Sequence, residues 1–127
     1  MSKKNSLGLI GERVACDFIT KKNFEVKKTN YYSRFGEIDI IAQTDKYIVF
    51  IEVKSRSDNY IVSPVDSITS SKKKKIIRTA LVYMIENNIM LQPRFDVIEV
   101  IKSRDCDILS INHIENAFYQ EDSYAIF

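Results

Sequence analysis

Two cysteines, two prolines, three glycines, one histidine and no tryptophan leave this 127-residue chain poor in the residues behind many common chemistries. Cys16 and Cys106 are too few for a disulfide framework. Neither has a second Cys or a His close in sequence, so no zinc motif is present. The lone His113 weakens every His-dependent mechanism, and its setting between Ile111 and Ile114 reads as that of a packed residue. There is no glycine-rich phosphate loop or dinucleotide fingerprint, which argues against a nucleotide cofactor such as ATP or NAD. No run of 18 uncharged apolar residues exists and Met1 to Leu9 has no signal-peptide core, so the expectation is a cytoplasmic protein with free thiols and no membrane contact.

What is present is an ordinary globular composition, and the length suits a single domain spanning 1–127. The net charge of +2 hides an asymmetry. Residues 1–78 carry 16 Lys/Arg against 9 Asp/Glu, whereas residues 79–127 carry 3 against 8. A basic majority of this size favours a polyanionic partner, nucleic acid first.

Few breakers interrupt the chain, and the periodicities predict the order α-β-β-β-α-β-β. Leu7, Ile10, Val14 and Phe18 mark one face of a first helix over 7–22, with Ser6 as its cap. Strands are expected over 24–32, 37–43 and 47–56, the last two joined by a tight turn at Thr44-Asp45-Lys46. After a polar loop, Thr69 or Ser70 caps a second helix running to about Asn88, burying Ile77, Ala80, Leu81, Met84 and Ile85. Strands over 95–101 and 108–114 follow, and the tail 115–127 is left unassigned. Val49, Phe50, Ile51, Ile40 and Val97 are the expected centre.

Two strands break their own pattern. The strand over 47–56 is apolar on both faces in its first half, as an interior strand should be. One face then turns to Glu52, Lys54 and Arg56. The preceding strand places Glu37 and Asp39 on one face, and pairing about the 44–46 turn sets Asp39 opposite a residue near Glu52. Two adjacent carboxylates repel unless a cation lies between them. A divalent metal such as Mg²⁺ resolves this, since it is commonly held by one or two carboxylates with water and phosphate filling the rest. On spacing alone, an ordinary Asp39–Lys54 salt bridge beside a solvated Glu52 fits as well.

The residues Gly36-Glu37-Ile38-Asp39 followed by Phe50-Ile51-Glu52-Val53-Lys54-Ser55-Arg56 resemble the active-site core of the PD-(D/E)xK, restriction-endonuclease-like superfamily. More narrowly, the chain resembles the YraN-like bacterial family from about residue 8 to 118. The resemblance runs through Gly11-Glu12-Arg13-Val14-Ala15, Asn30, the stretch from Thr69 to Ala80, Arg94-Phe95-Asp96-Val97 and the stretch from His113 to Phe118. The chain departs from that pattern at Tyr32, where the family carries Arg, and near Val62, where it carries Gly.

The resemblance implies an α/β restriction-endonuclease-like fold, a central mixed sheet of about five strands flanked by helices, similar to that of Holliday-junction resolvases. It implies Asp39 and Glu52 as ligands of Mg²⁺ or Mn²⁺, with the Val53 carbonyl as a further donor, Glu12 as an additional acid at the metal, and Lys54 as the group that orients the attacking water. It also implies phosphate contact by Lys72. Lys72 to Lys75 oppose the dipole at a helix start, a placement that phosphate binding explains. Lys73, Arg56 and Arg34 join Lys72 as candidate nucleic-acid contacts, each also readable as a surface charge, and Tyr31, Tyr32 and Tyr60 as candidate stacking residues. The function expected is metal-dependent hydrolysis of phosphodiester bonds in DNA, branched or structured forms included. The alternatives are a non-catalytic nucleic-acid-binding module and a protein scaffold. A homodimer is compatible with resolvase-like cutting, though no dimer surface can be read from the sequence.

Overall fold

A computed structural model describes residues 6–57, 62–105 and 107–118. Tyr60, Cys106 and the tail beyond Phe118 lie outside the described residues. The elements run α1 (Ser6–Lys21), β1 (Glu25–Ser33), β2 (Gly36–Gln43), β3 (Tyr47–Ser57), α2 (Ser70–Glu86), β4 (Gln92–Lys102) and β5 (Ile108–Phe118). They build a mixed α/β architecture whose single sheet has the order β1-β2-β3-β4-β5. No helix among the described residues is long and apolar enough to cross a membrane.

The sheet order follows from the connections. Thr44 closes the β2–β3 turn through its N–H on the Tyr47 carbonyl at 2.9 Å, and its Oγ1 accepts from the Tyr47 N–H at 3.1 Å. That hairpin fixes Ile40 opposite Ile51 and Ala42 opposite Val49. β3 and β4 are parallel from Tyr47–Gln92 to Ser57–Lys102, which requires a crossover, and α2 supplies it. Thr69 caps α2 by accepting the Lys72 N–H at 3.1 Å.

Each face of the sheet buries its own core. Ile41, Ile48, Phe50 and Val97 pack with Ile76, Ile77, Ala80 and Tyr83 of α2. Ile40, Val49, Ile51, Ile98 and Val100 pack with Ala15 and Ile19 of α1. The five residues expected at the centre are all fully or almost fully buried.

α1 presents a face rotated from the expected one. In α1 the residues against the sheet are Gly11, Glu12, Ala15 and Ile19, while Ile10 is 41% exposed and Val14 and Phe18 are only half-buried. The cause is steric. Gly11 and Ala15 let the helix lie close on β3, which outweighs burying a longer side chain from the next face. α2 keeps most of its expected face, with Ile77 and Ala80 buried and Leu81 and Met84 packed against the core, but it adds Ile76, Thr79 and Tyr83 and leaves Ile85 76% exposed. Ser6 stands inside α1 rather than capping it.

β4 starts three residues earlier than expected, through Pro93, which sits at a strand start where its missing N–H costs little. β5 continues to Phe118, beyond the expected end at Ile114. The continuation rests on a tertiary bond that no local pattern signals, from the Asn116 N–H to Asp96 Oδ1 at 2.9 Å.

The α1–β3 approach is tight enough to test. A Cβ on Gly11 would meet Ser55 Oγ at 1.9 Å and Ser55 Cβ at 3.3 Å. Gly11→Ala should therefore destabilise the protein by about 1–3 kcal/mol, although Ala is the better helix former. Adding Ser55→Ala should recover part of that loss in urea unfolding. A stabilised Gly11→Ala would show that the contact is not tight.

Candidate active site

The β2–β3 ladder ends at Ile40–Ile51, and one further step in the same register meets Asp39 and Glu52. There the Val53 N–H turns from strand pairing to Asp39 Oδ2, at 2.8 Å. This bond fixes the Asp39 carboxylate between the two strands as they part. Asp39 is 5% and Glu52 8% exposed, so two acids share a place nearly shut from water. Burial, a hydrogen bond to Asp39 and the Asp39 charge push the Glu52 pKa up to about 8, against the weaker pull of Lys72 and Lys54. The pair therefore keeps a proton to well above the usual carboxylate range.

Two cations face the pair. Lys72 Nζ lies 3.2 Å from Glu52 Oε2, an ion pair without hydrogen-bond alignment, since that buried oxygen has no hydrogen-bond partner among the described residues. Lys54, half-buried and two residues beyond Glu52 on the same face, makes no ion pair among the described residues, yet its charge is felt at Glu52. The simple Asp39–Lys54 salt bridge allowed by spacing is thus not formed.

Glu12 does not join the pair in a ligand cluster: among the described residues no three His, Cys, Asp or Glu converge as a metal-binding group. It is 6% exposed on α1, the helix packed against the face of β3 that carries Val49 and Ile51, and it acts on the thiol of Cys16. Burial first, then the charges of Glu12 and Asp17, raise that thiol's pKa, so Cys16 is no activated nucleophile.

Arg56 is turned inward. Its guanidinium bonds the Val62 carbonyl, the Ser63 carbonyl at 3.3 Å and Ser67 Oγ at 2.7 Å, and pairs with Glu99 at 3.5 Å. It anchors the loop that leads into α2, a role that replaces the phosphate contact expected of it. Tyr31 is also committed, donating to Glu86 Oε1 at 2.6 Å; burial and that carboxylate push its pKa up to about 12. Lys73 extends over the Phe118 ring at 5.8 Å, and Arg34 over Phe35 at 4.8 Å.

His113 belongs to a separate network on the α1 side. Its Nε2 lies 2.7 Å from Asp96 Oδ2, and its Nδ1 2.8 Å from Lys22 Nζ. An ammonium donating to Nδ1 places the ring proton on Nε2, toward Asp96. Arg94 grips Asp96 with two bonds, of 3.0 and 2.9 Å. Burial alone would raise the Asp96 pKa, but the bonds from His113, Arg94 and the Asn116 N–H hold it below the usual range. This fully buried carboxylate is structural: it ties β4 to β5 and to the end of α1. The cleft lined by Tyr47, Pro93, Arg94 and Asn116 opens near the start of β3, away from Asp39 and Glu52.

The folded state holds the Glu52 proton more tightly than the unfolded chain does. Its contribution to stability is full below about pH 4.5 and is lost as pH rises through about 8. Without divalent metal, the melting temperature should fall across that window, and Glu52→Gln should flatten the fall. Added Mg²⁺ should raise the melting temperature more at pH 8 than at pH 5, where protons compete for the site. Identical profiles for wild type and Glu52→Gln would overturn this account.

The pattern of the Uncharacterised protein family UPF0102 matches residues 11–100, which include Asp39, Glu52, Lys54 and Lys72. A UPF0102 protein of Clostridioides difficile is 45% identical over 114 residues, covering 87% of this chain and 95% of its own. UPF0102 proteins of Caldanaerobacter subterraneus and Acetivibrio thermocellus are 37% and 40% identical, covering 91% and 92% of this chain and 96% and 94% of their own. The chain belongs to the UPF0102 family, the YraN-like family that its motifs resemble.

Proposed function

We propose that this protein is a divalent-metal-dependent nuclease domain of restriction-endonuclease-like fold that hydrolyses phosphodiester bonds in DNA in the cytoplasm. The observation that carries this reading is the contact of two buried carboxylates, Asp39 and Glu52, with Lys54 and Lys72 around them. Such a pair is unfavourable in a resting fold and becomes favourable when a cation binds between its members. Glu52 Oε2, which faces Lys72 without a hydrogen bond, and the fixed Asp39 carboxylate fit Mg²⁺ or Mn²⁺, because two carboxylates suffice when water and phosphate complete the shell.

Asp39 and Glu52 would hold the ion. When bound, it supplies Lewis-acid charge toward the phosphate and the attacking water. Lys54 orients that water and stabilises the negative charge that builds on the phosphorus oxygens during in-line attack. Lys72 exchanges Glu52 for a substrate phosphate, since an ammonium serves either anion.

A non-catalytic nucleic-acid-binding module is the second reading, favoured by one observation: Glu12 does not complete a three-carboxylate cluster. One experiment separates the two. Labelled linear, single-stranded and four-way-junction DNA are incubated with Mg²⁺ or Mn²⁺, with binding followed in parallel. Metal-dependent cutting that drops about 100-fold or more in both Asp39→Ala and Lys54→Ala supports the nuclease. Binding without cutting, undiminished in Asp39→Ala, supports the module. Neither binding nor cutting overturns both readings.

A further inference from the structure

The turn between β1 and β2 carries an aromatic ring braced by two cations. Phe35 is half-buried at the turn, with the Arg34 guanidinium 4.8 Å and the Arg78 guanidinium 5.8 Å from its centroid. The turn is clamped to α2. Ser33 Oγ lies 2.9 Å from Thr79 Oγ1 and accepts the Phe35 N–H at 3.0 Å, while a Cβ on Gly36 would touch the Lys75 side chain at 3.4 Å. Ser33 thus partners the buried Thr79 hydroxyl, and the same bonds hold the turn that carries the ring against α2.

The charges around the ring are uncompensated. Among the described residues Arg34, Lys74, Lys75 and Arg78 make no ion pair. The first turn of α2 has no acidic residue. Lys72 sits at Glu52, Lys75 against Gly36, and Arg78 beside Phe35. Three-residue steps on a helix advance about 4.5 Å. The cations thus form a strip leading from the carboxylates to the ring, and Phe35 lies four residues from Asp39 along β2, roughly 13 Å of strand.

We infer that Arg34 and Phe35 form a stacking platform for an unpaired base of the substrate, with Lys75 and Arg78 holding the phosphates between it and the scissile bond. The exposed Arg34 guanidinium, 4.8 Å from the ring centroid, is the surface that receives the base; guanidinium planes and aromatic rings are both stacking surfaces for splayed bases. The strip spans about two to four nucleotides. Resting on the nuclease reading above, this names the substrate class: DNA with a frayed, flapped or branched strand a few nucleotides from the cut, rather than continuous duplex.

The test measures fluorescence anisotropy with EDTA present, so nothing is cut, using a forked duplex and a blunt duplex of the same sequence. The wild type should prefer the fork. Phe35→Ala and Arg34→Ala should lower fork affinity by about 5- to 100-fold and blunt affinity by less than about threefold. Arg34→Lys keeps the charge without the plane, and should lose the fork preference nearly as fully as Arg34→Ala. Because Arg34 is exposed, its variants keep the wild-type melting temperature even if Phe35→Ala does not fold. Full rescue by Arg34→Lys, or equal losses on both DNAs, overturns the platform and leaves only a charged surface. Wild-type cutting in Mg²⁺ alongside either of those results overturns the platform alone, whereas a wild type that neither binds nor cuts overturns the nuclease reading with it.

Discussion

The hydrogen-bonded turn at Thr44 sets everything that follows in the sheet. Side chains alternate with a period of two, so a slip of one residue between β2 and β3 would carry Glu52 away from Asp39 and bury the wrong face of each strand. The turn closes on Tyr47, and the apolar pairs Ile41–Phe50 and Ala42–Val49 enforce the same register from within. Local turn chemistry and core packing therefore agree. Their agreement brings two acids together at a cost that packing alone could have avoided.

The rest of the molecule keeps those acids in reach of cations. Arg56 leaves the strand just beyond Lys54 and fastens the loop ahead of α2, so the helix start that bears Lys72 is tied to the strand that bears Glu52. On the other face, Gly11 lets α1 settle onto Ser55, flanking the same end of β3. Asp96, gripped by Arg94 and His113, stiffens the far edge of the sheet.

Strands were legible in the sequence where helix faces were not. A buried strand such as β3 shows an unbroken apolar run, and the abrupt appearance of Glu52 and Lys54 in it signals a site. In α1 the apolar stripe through Ile10, Val14 and Phe18 is the strongest local signal. The sheet selected Gly11, Ala15 and Ile19 because closeness of approach is a tertiary property. Arg56 and Lys72 looked alike as strand and helix cations, yet one is an internal anchor and the other faces an acid. Phe35 carries no motif, and Arg78 lies in the stretch from Thr69 to Ala80 without being singled out by it. The sole hint at Phe35 is an aromatic in a tight turn, where small polar residues are usual.

The parallel pairing of β3 with β4 has a consequence for the order of assembly. Hairpins join residues near in sequence and close early, whereas a parallel pair waits for its crossover to be built. Asp39 and Glu52 meet within the β2–β3 hairpin, but Lys72 arrives only when α2, the connection from β3 to β4, docks on the sheet face. The hairpin therefore brings the two acids together with Lys54 already beside them, and the charge balance of the site is completed only by the crossover.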